Sequence, residues 1–454
     1  MSDILEFSYR TQSRIIKQPS FNELLLSHHT DIEELQQIPC FFWGEMKDPL
    51  LTAKALLCIS RVVRSSFSPI PVRLLDPIVT AGQEQLRFEG FSSCNGVYAR
   101  LDILSDNIDG EFIASGTTNV DFNEPMLNAL NSIKKQDLMM LGVGEKEVKI
   151  STIKHDIIEK KVKLPERWIK GLTSVQLYLA EMNELFRLNK MQTVQFFNQL
   201  PKTKNTATMY LTYRANRCTI SPIATANSIQ IGGIERLRLL EMLLPYIDEM
   251  VFYQNTENQN IDTTNNTNKS MALQIYIKNM RLTLALSPDN HRGFSGEGNI
   301  LEKMTHELPV EYIYALNSLL KSNEIFNPTL LSIEQGIYIG DMDSLTAHLS
   351  AIGMLGFDLY SNQHFYRRLP FKMENILSLN PRLKNAKKLI SDENIKITHH
   401  HANELLATVK SGEHLYTVSI KNNDYKCTCQ WYAKYQTHRG LCKHILAVKM
   451  LGDR

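Results

Sequence analysis

The sequence predicts an α+β protein, a mixed multidomain body closed by a small C-terminal metal-stabilised module of ββα-like type. Three observations lead there. Helical and strand-like apolar patterns succeed one another along the chain without a repeat of fixed period. The 454 residues are 43% apolar and 22% charged, a globular composition long enough for roughly two to four domains. Three of the seven cysteines crowd into the stretch from Cys427 to Cys442, next to His444.

The elements follow in order. Residues 1–164 read as an N-terminal α/β region. Leu50 to Phe67 has the spacing of a helix, and Leu86 to Leu104 reads as two strands broken by the turn-rich FSSCNG. Val148 to Leu164 holds two alternating runs suited to a hairpin. Residues 165–200 read as a helical connector: after Pro165, the apolar residues Trp168, Leu172, Val175, Leu179, Met182 and Phe186 are spaced four and three apart.

A second α/β region is expected over 201–310. Ala207 to Tyr213 and Ile275 to Leu286 read as strands, Ile234 to Tyr246 as a helix, and the polar stretch 254–268 as a solvated loop. Residues 311–397 read as a helical region. There Ser344 to Leu355 forms a helix ended by Gly353 and Gly356, and a hairpin follows around Ser361 to Gln363, an order compatible with a winged helix. Residues 398–454 form the last module, with strands expected at Ala407 to Val409 and Tyr416 to Ile420.

Charge and cysteine usage narrow the class. The net charge is +2, which excludes a polycation that coats nucleic acid along its length. Residues 421–454 alone carry +5, so a locally basic module follows a mildly acidic body. The chain shows no secretory leader and no apolar run of about 18 residues, so no membrane association is expected. Cys40, Cys58, Cys94 and Cys218 are scattered and read as free thiols of a cytoplasmic protein rather than a disulfide framework.

The chemistry concentrates in CTCQWYAKYQTHRGLCKHILAVKML, Cys427 to Leu451. Cys427 and Cys429 are two residues apart, which on a strand places both on one side. Cys442 and His444 are again two apart, at the expected start of a helix, where exposed N–H groups and the positive end of the helix dipole favour thiolate. Four sulfur and nitrogen donors make a closed tetrahedral site for one structural Zn²⁺, with no position left for substrate. Three thiolates, a neutral imidazole and the ion sum to one negative charge, which Lys426, Lys443 and Arg439 can offset. Tyr425, Trp431, Tyr432 and Tyr435 are interleaved with Lys426, Lys434 and Arg439, a composition that also suits nucleic acid.

CxC, a gap, then CxH before an apolar helix resembles the SWIM zinc finger, over roughly Thr398 to Leu451. The longer chain is similar to a group of bacterial SWIM-containing proteins through LRFEGFSSCNGVYAR (Leu86 to Arg100), GTTNVDF (Gly116 to Phe122), LALSPDNHRGFSGEG (Leu284 to Gly298) and LNPRLKNAKKLI (Leu379 to Ile390). Members of that group are often encoded near MoxR-type AAA+ ATPases and von Willebrand factor A proteins, so the resemblance implies protein partners of those kinds. Little sequence follows the final helix here, so the finger is expected to pack on what precedes it or to act as a C-terminal docking end.

Two functional classes are therefore open. One is an adaptor or scaffold that binds protein, with nucleic acid as a second candidate through Lys426, Lys434 and Arg439. The other is an enzyme whose site lies in the body, around Cys94 or the glycine-rich Arg292 to Gly298 loop. That loop lacks the Lys-Ser/Thr of a P-loop and reads first as a structural turn. Asp102, Asp109, Glu111 and Asp121 read as solvated surface, and His399, His400 and His401 first as a polar linker, with adventitious metal affinity as the alternative.

Overall fold

A computed structural model of the chain describes residues 14–17, 22–25, 41–67, 77–82, 84–119, 122–143, 148–151, 166–203, 208–225, 228–255, 270–288, 293–294, 301–302, 305, 326–367, 369, 381–401, 404–422, 424–437 and 440–452. Helices and strands are mixed along the chain, in several sheets. Two compact units emerge. The first takes Met1–Phe294, Phe357–Asn362 and Arg367–Phe371; the second takes Ser295–Gly356, Gln363–Tyr366 and Lys372–Arg454.

The first unit is organised by an eight-stranded antiparallel sheet. Its strands are β1 (Ile78–Gly82), β2 (Gln85–Phe91), β3 (Val97–Ile103), β4 (Gly116–Asn119), β5 (Asn183–Asn189), β6 (Glu249–Gln254), β7 (Met271–Ile277) and β8 (Met280–Leu286). They lie in the order β5-β6-β7-β8-β3-β2-β1-β4. The FSSCNG turn joins β2 to β3 as expected, with Asn95 in the left-handed region at φ 60°. Helix α1 (Pro49–Arg64) packs on β2 and β3. Asp48 caps it by accepting the Leu51 N–H at 3.2 Å, and Pro49 occupies the first turn, where no N–H is needed. Gly90 lets the helix approach, because a Cβ there would stand 2.6 Å from Val63 Cγ2.

Two expectations for this unit change. The helix after Pro165, α2, spans Glu166–Ala180 and stops before Met182; Phe186 belongs to β5, where pairing with β6 overrides the helical spacing. Val148–Ser151 pairs with Met140–Val143, and the run ending at Leu164, its expected hairpin partner, lies outside the described residues. Ile234–Tyr246 is helical, but of the tighter 3-10 type, with Pro245 inside it.

The alternation in β2, β3 and β8 conceals the main surprise. Leu86, Phe88 and Gly90 face one way, and Arg87 and Glu89 the other; Tyr98, Arg100 and Asp102 share that second face on β3. Such a pattern predicts a sheet with one solvated face. Instead the polar face is buried, met by Gln176 of α2 and by Phe357, Asp358 and Arg367 from the returning chain. Asp102 pairs with Arg87 at 3.4 Å and with Arg100 at 3.0 Å, so it is not a surface carboxylate. Asp358 takes Arg100 at 3.3 Å and Arg281 at 3.2 Å. Glu89 accepts from Arg367 and from the Tyr98 hydroxyl. Gln176 of α2 donates to the Tyr98 hydroxyl at 3.2 Å and accepts the Phe357 N–H at 2.9 Å. Asp109 and Glu111 are exposed as expected, and Asp121 lies outside the described residues.

The second unit holds helices Pro328–Gln335 and Met342–Ala351 around a small core with Phe326, Leu345 and Leu355. Strands Leu355–Asp358 and Gln363–Tyr366 form the expected hairpin, of which Phe357 and Asp358 are counted with the first unit. Helix Met342–Ala351 contains no lysine or arginine, unlike a helix built to read DNA. The C-terminal part of the unit is a four-stranded antiparallel sheet of β9 (Ile395–His401), β10 (Glu404–Ser411), β11 (His414–Lys421) and β12 (Asp424–Cys427), in that order. Helices α3 (Pro381–Ser391) and α5 (Lys443–Gly452) pack on one another, and α4 (Gln430–Tyr435) joins β12 to α5. His399, His400 and His401 are therefore strand residues, not a linker.

Candidate metal centre

Two helix starts bring the ligands together. β12 ends at Cys427. Cys429 is the N-cap of α4, and its sulfur accepts the Tyr432 N–H at 3.4 Å. Cys429 is thus not on a strand with Cys427: the chain turns after Cys427, and the sulfur takes the capping place that Ser or Asp would fill elsewhere. Cys442 stands at the same position before α5, accepting the Ile445 N–H at 3.5 Å, while its carbonyl takes the first helical bond from Leu446 at 3.0 Å. Both sulfurs face the positive end of a helix dipole, which stabilises thiolate. Hydrogen bonds from Cys427 and Cys442 hold the Cys429 thiol well below the ordinary range, and the same contacts push Cys427 up. Sulfurs this close cannot all carry charge without a cation among them.

The donor atoms of Cys427, Cys429, Cys442 and His444 lie within 4.8 Å of one another, and all four residues are buried. His444 Nδ1 stands 3.8 Å from Cys427 Sγ. Tetrahedral zinc with sulfur at about 2.3 Å and nitrogen at about 2.05 Å separates such a pair by about 3.6 Å. The residues fit a zinc ion, with Nδ1 as the nitrogen ligand. The His444 ring is held by Tyr416, stacked at 4.5 Å.

The surroundings close the site. Tyr425 is buried and its hydroxyl donates to Glu302, which also pairs with Lys449 at 2.7 Å. Trp431 leans on Tyr435 at 4.7 Å and carries the Arg382 guanidinium over its ring at 4.8 Å. Arg382 also donates to the Leu441 carbonyl at 3.3 Å, placing a cation beside Cys442. Of the basic residues expected to balance the centre, Lys426 is exposed and pairs with Asp424 at 2.9 Å, and Lys443 reaches Ser411 at 2.9 Å. Arg439 lies outside the described residues. Arg382, Tyr416 and Glu302 were not singled out from sequence, since all three lie outside the ligand run.

The features singled out in the body partly converge. The Phe294 N–H donates to the Asn95 carbonyl at 2.9 Å, so the start of the glycine-rich loop does meet the Cys94 turn. Cys94 Sγ accepts the Phe67 N–H at 3.4 Å and lies 3.4 Å from Ser92 Oγ. Among the described residues no histidine or carboxylate hydrogen-bonds to it. Of the Arg292 to Gly298 loop, only Gly293 and Phe294 are described.

The SWIM zinc finger family matches residues 416–451, a span that contains all four ligands. No curated protein matches the chain. Among solved structures, proliferating cellular nuclear antigen from Entamoeba histolytica is 10% identical, with a TM-score of 0.34 over 55% of this chain and 98% of that one. A PCNA2-PCNA3 complex from Sulfolobus tokodaii is 8% identical, with a TM-score of 0.35 over 54% and 98%. The C-terminal module is thus defined as a SWIM-type zinc finger, with Cys427, Cys429, Cys442 and His444 as its zinc site.

Proposed function

We propose that this chain is an adaptor whose zinc finger presents a docking face to protein partners. The observation that carries the reading is a division between the two faces of the β9–β12 sheet. The inward face, with Ala407, Val409 and Val418, is filled by α5 and the metal centre. The outward face is open: Leu406 lies opposite Ser419, Thr408 opposite Thr417 and Lys410 opposite Leu415, which is 69% exposed. A closed, buried zinc site does no chemistry there; when bound, the ion crosslinks β12, α4 and α5 and so fixes the sheet.

The resemblance of the longer chain supplies the partner class, a MoxR-type AAA+ ATPase or a von Willebrand factor A protein. The test is direct binding to a purified protein of either class encoded beside this one. Leu415→Glu should abolish the complex while leaving one zinc per chain. A complex indifferent to Leu415→Glu and Thr417→Glu would refute the docking face.

Nucleic acid is the weaker reading. It calls for exposed rings on the basic face, whereas Tyr425 is buried and Trp431 lies under Arg382. Binding to single- and double-stranded DNA across a salt series, with Lys434→Glu as control, tests it.

A further inference from the structure

The histidine run has a geometry that an unstructured linker would not give it. In β9, Ile395 pairs with Val409 and Ile397 with Ala407, so odd-numbered residues point to the buried face. A bulge at Thr398 then shifts the register by one: His399 pairs with Leu406, His400 with the buried Leu405, and His401 with Glu404. Without the bulge, His399 and His401 would turn towards the helix side. With it they stand together on the open face, and His400 takes the opposite one.

The two outward rings are nearly parallel, 12° apart, with centroids separated by 6.4 Å. Both residues are exposed, and neither ring has a hydrogen-bond partner among the described residues. Two imidazoles that share one ion on adjacent coordination positions have centroids about 5 Å apart, given a metal–nitrogen distance near 2.05 Å. Small side-chain rotations close that gap. Glu404, directly across from His401, adds a carboxylate at the same end of the sheet. Its existing partner, Lys421 at 3.3 Å, forms an exposed ion pair that yields readily to a divalent cation.

We propose that His399 and His401, with Glu404 as third ligand, form a second, exchangeable site for a divalent transition-metal ion of the zinc or nickel kind. Imidazole is the natural ligand for these ions, and two imidazoles with one carboxylate leave open coordination positions. The site is distinct from the buried centre. β9 is at the opposite edge of the sheet from β12, three strand spacings or about 14 Å away. The inner centre is sealed and thiolate-rich; the outer one is open to solvent and free of sulfur.

The test is calorimetric titration of Ni²⁺ into the full-length, zinc-loaded protein, with zinc content measured before and after. One saturable Ni²⁺ per chain is expected while the structural zinc is retained. His399→Ala and His401→Ala should each weaken binding by about tenfold or more, and Glu404→Gln by a few-fold, roughly the range for losing metal-supporting groups. His400→Ala is the decisive control and should leave the affinity within about twofold, because the strand alternation directs it away. Equal losses from His400→Ala and His401→Ala would mean a diffuse polyhistidine tract and would overturn the site. So would the absence of saturable binding, or binding that survives the double change of His399 and His401. An unaltered affinity in Glu404→Gln would remove the carboxylate from the ligand set.

Discussion

At the scale of single residues, the finger shows cysteine in two roles at once. Cys429 and Cys442 are metal ligands and helix caps, so replacing either by alanine removes a ligand and an N-terminal acceptor together. Cys442→Ser keeps an acceptor for the Ile445 N–H but loses the thiolate. It should strip most of the zinc and unfold the module, since structural zinc contributes about 10–16 kcal/mol of apparent folding free energy in small finger peptides. Full zinc occupancy in that variant, by metal analysis, would refute the ligand set. The ring nitrogen is also open to measurement: long-range ¹H–¹⁵N correlation of His444 should show Nδ1 metallated and Nε2 protonated. The remaining described thiols should differ sharply in reactivity. Burial pushes the Cys58 and Cys218 thiols up to about 12, so both should resist alkylation in the native protein. Cys94 is half-buried and should react first, as read by mass spectrometry.

At the scale of elements, the sequence was most legible where local pattern and tertiary environment agree. The helix α1, the β2–β3 turn at FSSCNG and the strands before the finger all follow from short-range chemistry. It was least legible where long-range pairing decides. Phe186 continues a helical spacing, yet it sits in β5 because β6 offers a strand edge 60 or more residues later. The polar face of β2, β3 and β8 reads as solvated for the same reason: the groups that bury it, Asp358 and Arg367, are remote in sequence. The zinc ligands were legible because the metal demands a donor spacing that chance seldom produces, whereas Arg382 carries no such mark.

That buried ionic face has a pH signature. Burial alone would raise the Glu89 carboxyl, but Arg367 and Arg100 outweigh it and hold it below its ordinary range; for Asp358, Arg100 and Arg281 do the same. A carboxyl lowered by folding stabilises the protein above its unfolded value, about 4, and that stability is lost as pH falls through and below it. Chemical denaturation should therefore show the midpoint falling steeply under about pH 4.5. Arg367→Met should cost about 3–5 kcal/mol at neutral pH, because Glu89 is left buried without its counter-ion. In that variant part of the loss should be recovered on mild acidification, where the carboxyl can take up a proton. A variant whose pH profile merely parallels the wild type would argue against the pairing.

At the scale of the whole molecule, zinc and the ionic face support different units. Chelation should therefore abolish the unfolding transition of the finger and leave that of the eight-stranded sheet in place, as followed by calorimetry. A single transition that disappears entirely on chelation would contradict two independently stabilised units. Among the described residues, no helix is long and apolar enough to cross a membrane.

The path of the chain through the first unit has a consequence for biosynthesis. Its sheet is complete in sequence by Leu286, but the guanidinium that neutralises Glu89 arrives 278 residues after it, and Asp358, the second carboxylate on Arg100 beside Asp102, arrives 258 residues after that arginine. A nascent chain that has just emerged through β8 therefore owns every strand and none of these two counter-ions. Closing contacts over such separations is slow. The ribosome thus delivers an unfinished body, its charged face still wet, for as long as the next 80 or so residues take to appear, about 4–16 s at ordinary elongation rates. A fragment ending at residue 300 should accordingly remain a loosely packed species that binds hydrophobic dyes. Extension to residue 375 should give the first cooperative fold, a threshold readable by proteolysis of stalled chains.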